Sequence, residues 1–151
     1  MGFLLEAMKE LKDIELITIG FGSEEQKFKD YVNENKLENV NFLGGVFGEK
    51  KLLYLSAADA LVLPSLKEGI PVTMMEALAR NIPVVVSDVG GVKLVVEEGR
   101  EGIIIKPRHS DQIVRAVRDI LKWEDKNVRQ YAEKYRWKKI IDDTVQDYIN
   151  L

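Results

Sequence analysis

The chain has 151 residues, a mass of 17.2 kDa and 46% hydrophobic residues, enough for one domain with a sizeable core. A net charge of −3 and a pI of about 5.3 give no footprint for nucleic acid, and the absence of cysteine excludes disulfides and thiolate metal sites. No apolar run is long enough to span a bilayer and no signal-peptide pattern is present, so a cytoplasmic location is the expectation.

Leu4, Leu5, Met8 and Leu11 recur at helical spacing and predict a first helix over Phe3–Leu11. Ile14–Gly20, β-branched and mostly apolar, predicts the first strand. Gly20 and Gly22 then form a Gly-x-Gly loop before a helix over Glu24–Asn35. Such a loop either brings backbone close to a phosphate or sugar or is a plain tight turn. No acidic residue follows the next strand, as a nicotinamide cofactor would require. Val40–Leu43 predicts the second strand, Gly44–Val46 its loop, Glu49–Ala58 a helix and Ala60–Leu63 the third strand.

The central stretch is EGIPVTMME, Glu68–Glu76. Leu61–Ser65 is a short apolar run closed by Pro64, Glu68 and Gly69 make a turn, and Pro71 sits where a first helical residue is tolerated. Val72–Ala79 is built of helix formers until Asn81 and Pro83 stop it, and PVVVS, Pro83–Ser87, is the fourth strand. A loop opening onto a helix N-terminus favours an anion, because unpaired N–H groups and the helix dipole converge there. Gly69, Ile70, Val72 and Thr73 each offer an N–H for a phosphate; Pro71 does not. Glu76 lies roughly 6–8 Å further along the axis, the separation of a ribose diol from the phosphates of a nucleotide. Glu68, in the loop, is placed to hold sugar hydroxyls. The competing reading makes Glu68 a complement to the helix dipole and Glu76 a solvated position. Against it, Glu76 is the single charge between Ile70 and Ala79 on a helix apolar on all sides, which predicts burial and a partner.

Beyond the fourth strand, Asp88 is either a ligand or, before Gly90 and Gly91, a turn residue. A short helix over Val92–Glu97, a fifth strand over Gly102–Ile105 and a helix over Asp111–Lys122 capped by Ser110 follow, the last with a core stripe of Ile113, Val114, Val117 and Leu121. His109, the only histidine, has no nucleophile or ligand set beside it in sequence and reads as a surface residue. From Val128 a helical tail carries Trp137, Ile140, Ile141, Val145 and Tyr148 on one face. Five β–α units in alternation predict an α/β fold: a doubly wound parallel sheet with helices on both faces. Gly20, Val46, Glu68 and Gly90 then share its carboxyl rim.

LVLPSLKEGIPVTMMEALARNIPVVVSDVGG closely resembles the signature of the retaining glycosyltransferases of family 4. LITIGFGSEE, VNFLGGV and GREGIIIKP follow the same order, so the resemblance covers nearly the whole chain. It implies a Rossmann-like C-terminal lobe of the two-lobed GT-B fold, binding a UDP- or GDP-linked sugar with no metal and no further cofactor. In that frame Glu68 holds sugar hydroxyls, Glu76 the ribose, and Val46 lies beside the base. Where the family places a proline and a glutamate after the paired glycines, this chain has Lys93 and Leu94. Family members also begin with a strand ending in Gly-Arg, followed by Lys-Gly; here Met1-Gly2-Phe3 stands in its place. The resemblance therefore implies a lobe N-terminally truncated relative to the family, its first strand missing and its acceptor-binding N-terminal lobe absent or on another chain. It also implies transfer with retention once the lobes are paired, no activity in isolation, and in the full enzyme a place peripheral to the inner face of the membrane. The alternative is a non-catalytic nucleotide-sugar-binding module or sensor. The gap left by the missing strand is either closed by direct pairing of the strands Ile14–Gly20 and Ala60–Leu63 into one five-stranded sheet, the favoured expectation, or filled by another chain. That closure would leave the first helix poorly seated and favour a homo-oligomer.

Overall fold

The computed structural model describes residues 1–124, 127–135 and 139. Helices and strands alternate: α1 Gly2–Met8, β1 Leu16–Thr18, α2 Glu25–Glu34, β2 Val40–Phe42, α3 Gly48–Ala57, β3 Leu61–Leu63, α4 Val72–Ala79, β4 Val84–Ser87, β5 Gly102–Ile105, α5 Ser110–Ile120 and α6 Arg129–Ala132. Two 3-10 turns lie at Val92–Leu94 and Glu133–Tyr135. Every strand pair is parallel, and helices cover both faces, the Rossmann-like α/β architecture that the alternation predicts.

The strands of the larger sheet are short and strongly apolar because they are covered on both sides. All four residues of β4 are buried. By the twofold alternation of a strand, Val84 and Val86 enter a core with α3, α4 and α6, whereas Val85 enters a second core with α1, α2 and α5. On α5, Ile113, Val114 and Val117 are buried as the stripe predicts; Ile120 completes it, with Leu121 only partly buried.

Several ends differ from expectation. α1 stops at Met8 because the N–H groups of Lys9 and Glu10 turn to the carbonyls of Glu6 and Ala7, the i→i−3 bonds of a tightening last turn. Ser110 does not cap α5 but is its first residue, and the cap position falls to His109 in extended backbone. Val92–Glu97 forms only one 3-10 turn, since Val95 and Val96 are drawn into the core of Val84 and Val86 and Glu98 then bridges to Gly102. Of the tail, α6 and the turn Glu133–Tyr135 are helical as expected; Trp137, Ile140, Ile141, Val145 and Tyr148 lie outside the described residues.

The expected closure into one five-stranded sheet does not occur. Among the described residues β1 pairs only with β2, while β3, β4 and β5 form a separate sheet in that order. The reason is α1. Its Leu4, Leu5 and Met8 are 4%, 0% and 2% exposed. They share one core with Leu16 and Val40 of the small sheet and with Val62, Val85 and Ile105 of the larger. α1 thus packs on α5 and α2 and shares its core with both sheets. Tyr31 of α2 also donates a hydrogen bond to the Glu6 carboxylate of α1. Direct pairing of β1 with β3 would displace three side chains, each worth about 1.5–3 kcal/mol when buried. With α1 seated, the ground for expecting self-association through Leu4, Leu5 and Met8 is removed. At the same seam a cavity of about 580 Å³ opens between Phe3 of α1, Phe28 and Tyr31 of α2, and Pro64 and Leu66 after β3.

Candidate functional site

The loop after β3 is held from two sides. Within it, Ser65 Oγ donates to Glu68 Oε1 at 2.8 Å, fixing the half-buried carboxylate at the rim. From β4, the N–H of Gly91 donates to the carbonyl of Gly69 at 2.8 Å. Gly90 lies so close that a Cβ would stand 2.1 Å from the carbonyl oxygen of Glu68, and its φ of +56° is itself a glycine conformation. The SDVGG turn is therefore the brace of the EGIP loop, a role that sequence spacing did not reveal. Asp88 is the turn residue of the two readings above: its N–H donates to Ile105 and its carboxylate pairs with Lys93 at 2.7 Å. Lys93, at the position that departs from the family pattern, is occupied there.

Pro71 serves as the N-cap of α4 rather than its first residue. Its carbonyl accepts from the N–H groups of Met74 and Met75. The N–H groups of Gly69, Ile70, Val72 and Thr73 have no acceptor among the described residues, as the first turn of a helix leaves them. Ile70 and Val72 are 48% and 70% exposed, so the start of α4 is open to solvent. α4 is not buried on all sides as its composition predicts. Met74, Ala77 and Leu78 enter the core, while Val72 and Ala79 are exposed, because α4 packs on α3, α6, β3 and β4 and leaves one face to solvent.

Glu76 does have a partner, and it comes from another helix. Lys51 Nζ of α3 lies 2.7 Å from both carboxylate oxygens, the two side chains being 27% and 25% exposed. Oε1 takes the hydrogen bond; Oε2 is buried and has none. A lone acid on an apolar helix signalled that a cation was needed, but only the packing of α3 on α4 identifies it as Lys51.

At the small sheet, Gly20 donates its N–H to Gly44 at 2.8 Å, and Gly22 accepts from the N–H of Glu25. The Gly-x-Gly loop therefore works as a backbone turn into α2, with the Gly20 N–H already used. Val46 is half-buried and lies directly before Phe47, the N-cap of α3. The chain thus links the two rims through α3: Val46 at its start, Lys51 one turn on, then Glu76 across the ion pair. His109 is a surface residue, its Nδ1 3.6 Å from Asp111 Oδ1 and about half its side chain exposed. Among the described residues no three His, Cys, Asp or Glu side chains come together as a metal's ligands would, and no helix is long and apolar enough to cross a membrane.

Two parallel sheets flanked by helices on both faces have the Rossmann-like architecture of a GT-B lobe. The chain belongs to the family Glycosyl transferases group 1, whose profile it matches over residues 2–137. It is 30% identical over 159 residues to the uncharacterized glycosyltransferase MJ1607 of Methanocaldococcus jannaschii, covering 97% of this chain and 40% of that protein. It is 32% identical over 96 residues to a putative teichuronic acid biosynthesis glycosyltransferase of Bacillus subtilis, covering 64% of this chain and 22% of that one. Its fold matches the lipopolysaccharide outer core galactosyltransferase WaaB with a TM-score of 0.83 at 22% identity, over 99% of this chain and 44% of that chain. It also matches Anabaena Alr3699/HepE in complex with UDP-glucose with a TM-score of 0.80 at 20% identity, over 100% and 45%. The chain thus spans less than half the length of these relatives.

Proposed function

We propose that this chain is the donor-binding lobe of a retaining glycosyltransferase, holding a UDP- or GDP-sugar that passes to an acceptor when an N-terminal lobe completes the cleft. The observation that carries the reading is the start of α4: four N–H groups without protein acceptors, at a loop clamped by Gly90 and Gly91, between Glu68 and Glu76. A diphosphate is the ligand that fits. Its charge meets the helix dipole, and the donors already point where negative charge grows as the sugar leaves. Glu68 holds sugar hydroxyls, Glu76 the ribose diol, and the backbone at Val46 lies beside the base. HepE, of like fold, was crystallised with UDP-glucose, which supports this reading.

Titration calorimetry with UDP, GDP and a panel of their sugar conjugates is the direct test. Weak saturable binding of one nucleotide, and of its sugar conjugate, is expected. Failure of every nucleotide and nucleotide-sugar to bind the folded protein would overturn the reading. Binding by the chain, with no transfer even when a complementary N-terminal lobe is supplied, would favour a binding module instead.

A further inference from the structure

Two phenylalanine rings stand in solvent at the carboxyl ends of β1 and β2. Phe21 is 76% and Phe47 72% exposed, with ring centroids 6.3 Å apart and planes at 63°, an edge-to-face pair. Gly45 lies beneath both. A Cβ there would come within 3.0 Å of Phe21 Cδ1 and of Phe47 Cε2, although its backbone is not in the left-handed region. Glycine at this position makes room for the rings rather than for a turn. Rings and glycine together form a small apolar shelf on the rim.

The shelf is tied to the candidate site by covalent geometry. Phe47 caps α3, and Lys51, four residues or about 6 Å along the axis, is the residue that pairs with Glu76. From these placements, and resting on the donor-lobe reading above, we infer that Phe47 is the stacking platform for the donor's nucleobase, braced edge-on by Phe21. The ribose joins base to diphosphate, so a base on Phe47 brings its sugar toward Glu76. At 63° the two rings cannot sandwich a flat base between them; it lies on the free face of Phe47. Recognition there is by π-face and area, which every base offers, and not by a hydrogen-bond code.

The test uses the 151-residue chain with UDP, GDP and inorganic pyrophosphate, by calorimetry and by NMR of the base protons. Wild type is expected to shift the base protons upfield, as stacking over an aromatic ring requires. Phe47→Ala is expected to weaken both nucleotides at least about fivefold, the low end of a lost base–aromatic stack, and to leave pyrophosphate unchanged. Phe47→Trp retains affinity, while Gly45→Val, whose side chain pushes the rings aside, behaves like Phe47→Ala. Equal affinity of Phe47→Ala and wild type for nucleotide, or equal loss of nucleotide and pyrophosphate, would overturn the shelf. Nucleotide binding that depends on Glu76 but not on Phe47 refutes the shelf alone. A wild type that binds no nucleotide refutes the donor-lobe reading and the shelf with it.

Discussion

At the scale of single residues the two carboxylates have different surroundings, and the proposal assigns them different work. Glu76 is held by Lys51, whose Nζ lies 2.7 Å from both carboxylate oxygens, and in the proposal it accepts from the ribose hydroxyls. Glu76→Ala should weaken nucleotide binding by ~1–3 kcal/mol, the worth of charge-assisted hydrogen bonds to hydroxyls. Glu68, held by Ser65 in the loop, should matter more for the sugar: Glu68→Ala is expected to weaken the nucleotide-sugar while leaving the bare nucleotide close to wild type. Calorimetric titration of both ligands on both variants checks this, and equal losses throughout would contradict the division. Gly90→Ala tests the brace. A methyl 2.1 Å from the Glu68 carbonyl, at a φ of +56°, has to push the EGIP loop away from β4. We expect a loss of about 1–3 kcal/mol of stability, the range of a strained backbone position, together with weakened phosphate binding. Thermal unfolding and titration of the same variant measure the two effects separately.

Among the elements, α1 and the two sheet edges beside it set the stability of the lobe. α1 buries Leu4, Leu5 and Met8 against both sheets, yet the edges of β1 and β3 turned away from β2 and β4 have no strand partner among the described residues. Ile17 of β1 and Ile19, the residue after it, remain 44% and 36% exposed. A parallel strand set between β1 and β3 would satisfy both edges at the usual spacing of about 4.8 Å. It would also cover those isoleucines. Fusing a designed six-residue apolar strand and a short loop ahead of Met1 should therefore raise the melting temperature and slow amide exchange in β1 and β3. No gain in either, with the fusion folded, would show that the two sheets are complete as they stand.

For the molecule as a whole, positioning catalysis needs both walls of a cleft. The chain spans 40% of the length of MJ1607 and less than half of each of the other relatives. We expect no sugar transfer by the chain alone, with donor and acceptor at saturating concentration, and transfer once a complementary N-terminal lobe is supplied. Product formation by the purified 151-residue chain, followed by mass spectrometry, would contradict this.

Much of this architecture is written locally. Periodicity and punctuation determined the alternating elements, because PVVVS can only be a covered strand and EGIPVTMMEALA, after Pro64 and before Pro83, only a loop and a helix. The free N–H groups at Gly69–Thr73 follow from the same local rule, since a helix start always leaves them. Long-range partners are different in kind. That Lys51 answers Glu76, that Gly90 and Gly91 clamp Glu68 and Gly69, and that Phe21 meets Phe47 over Gly45 depend on which helices and loops touch. The separation of the sheets was also a tertiary decision. Backbone hydrogen bonding alone argues for joining β1 to β3, but α1 buries its side chains in a core shared by both halves, and that burial prevails.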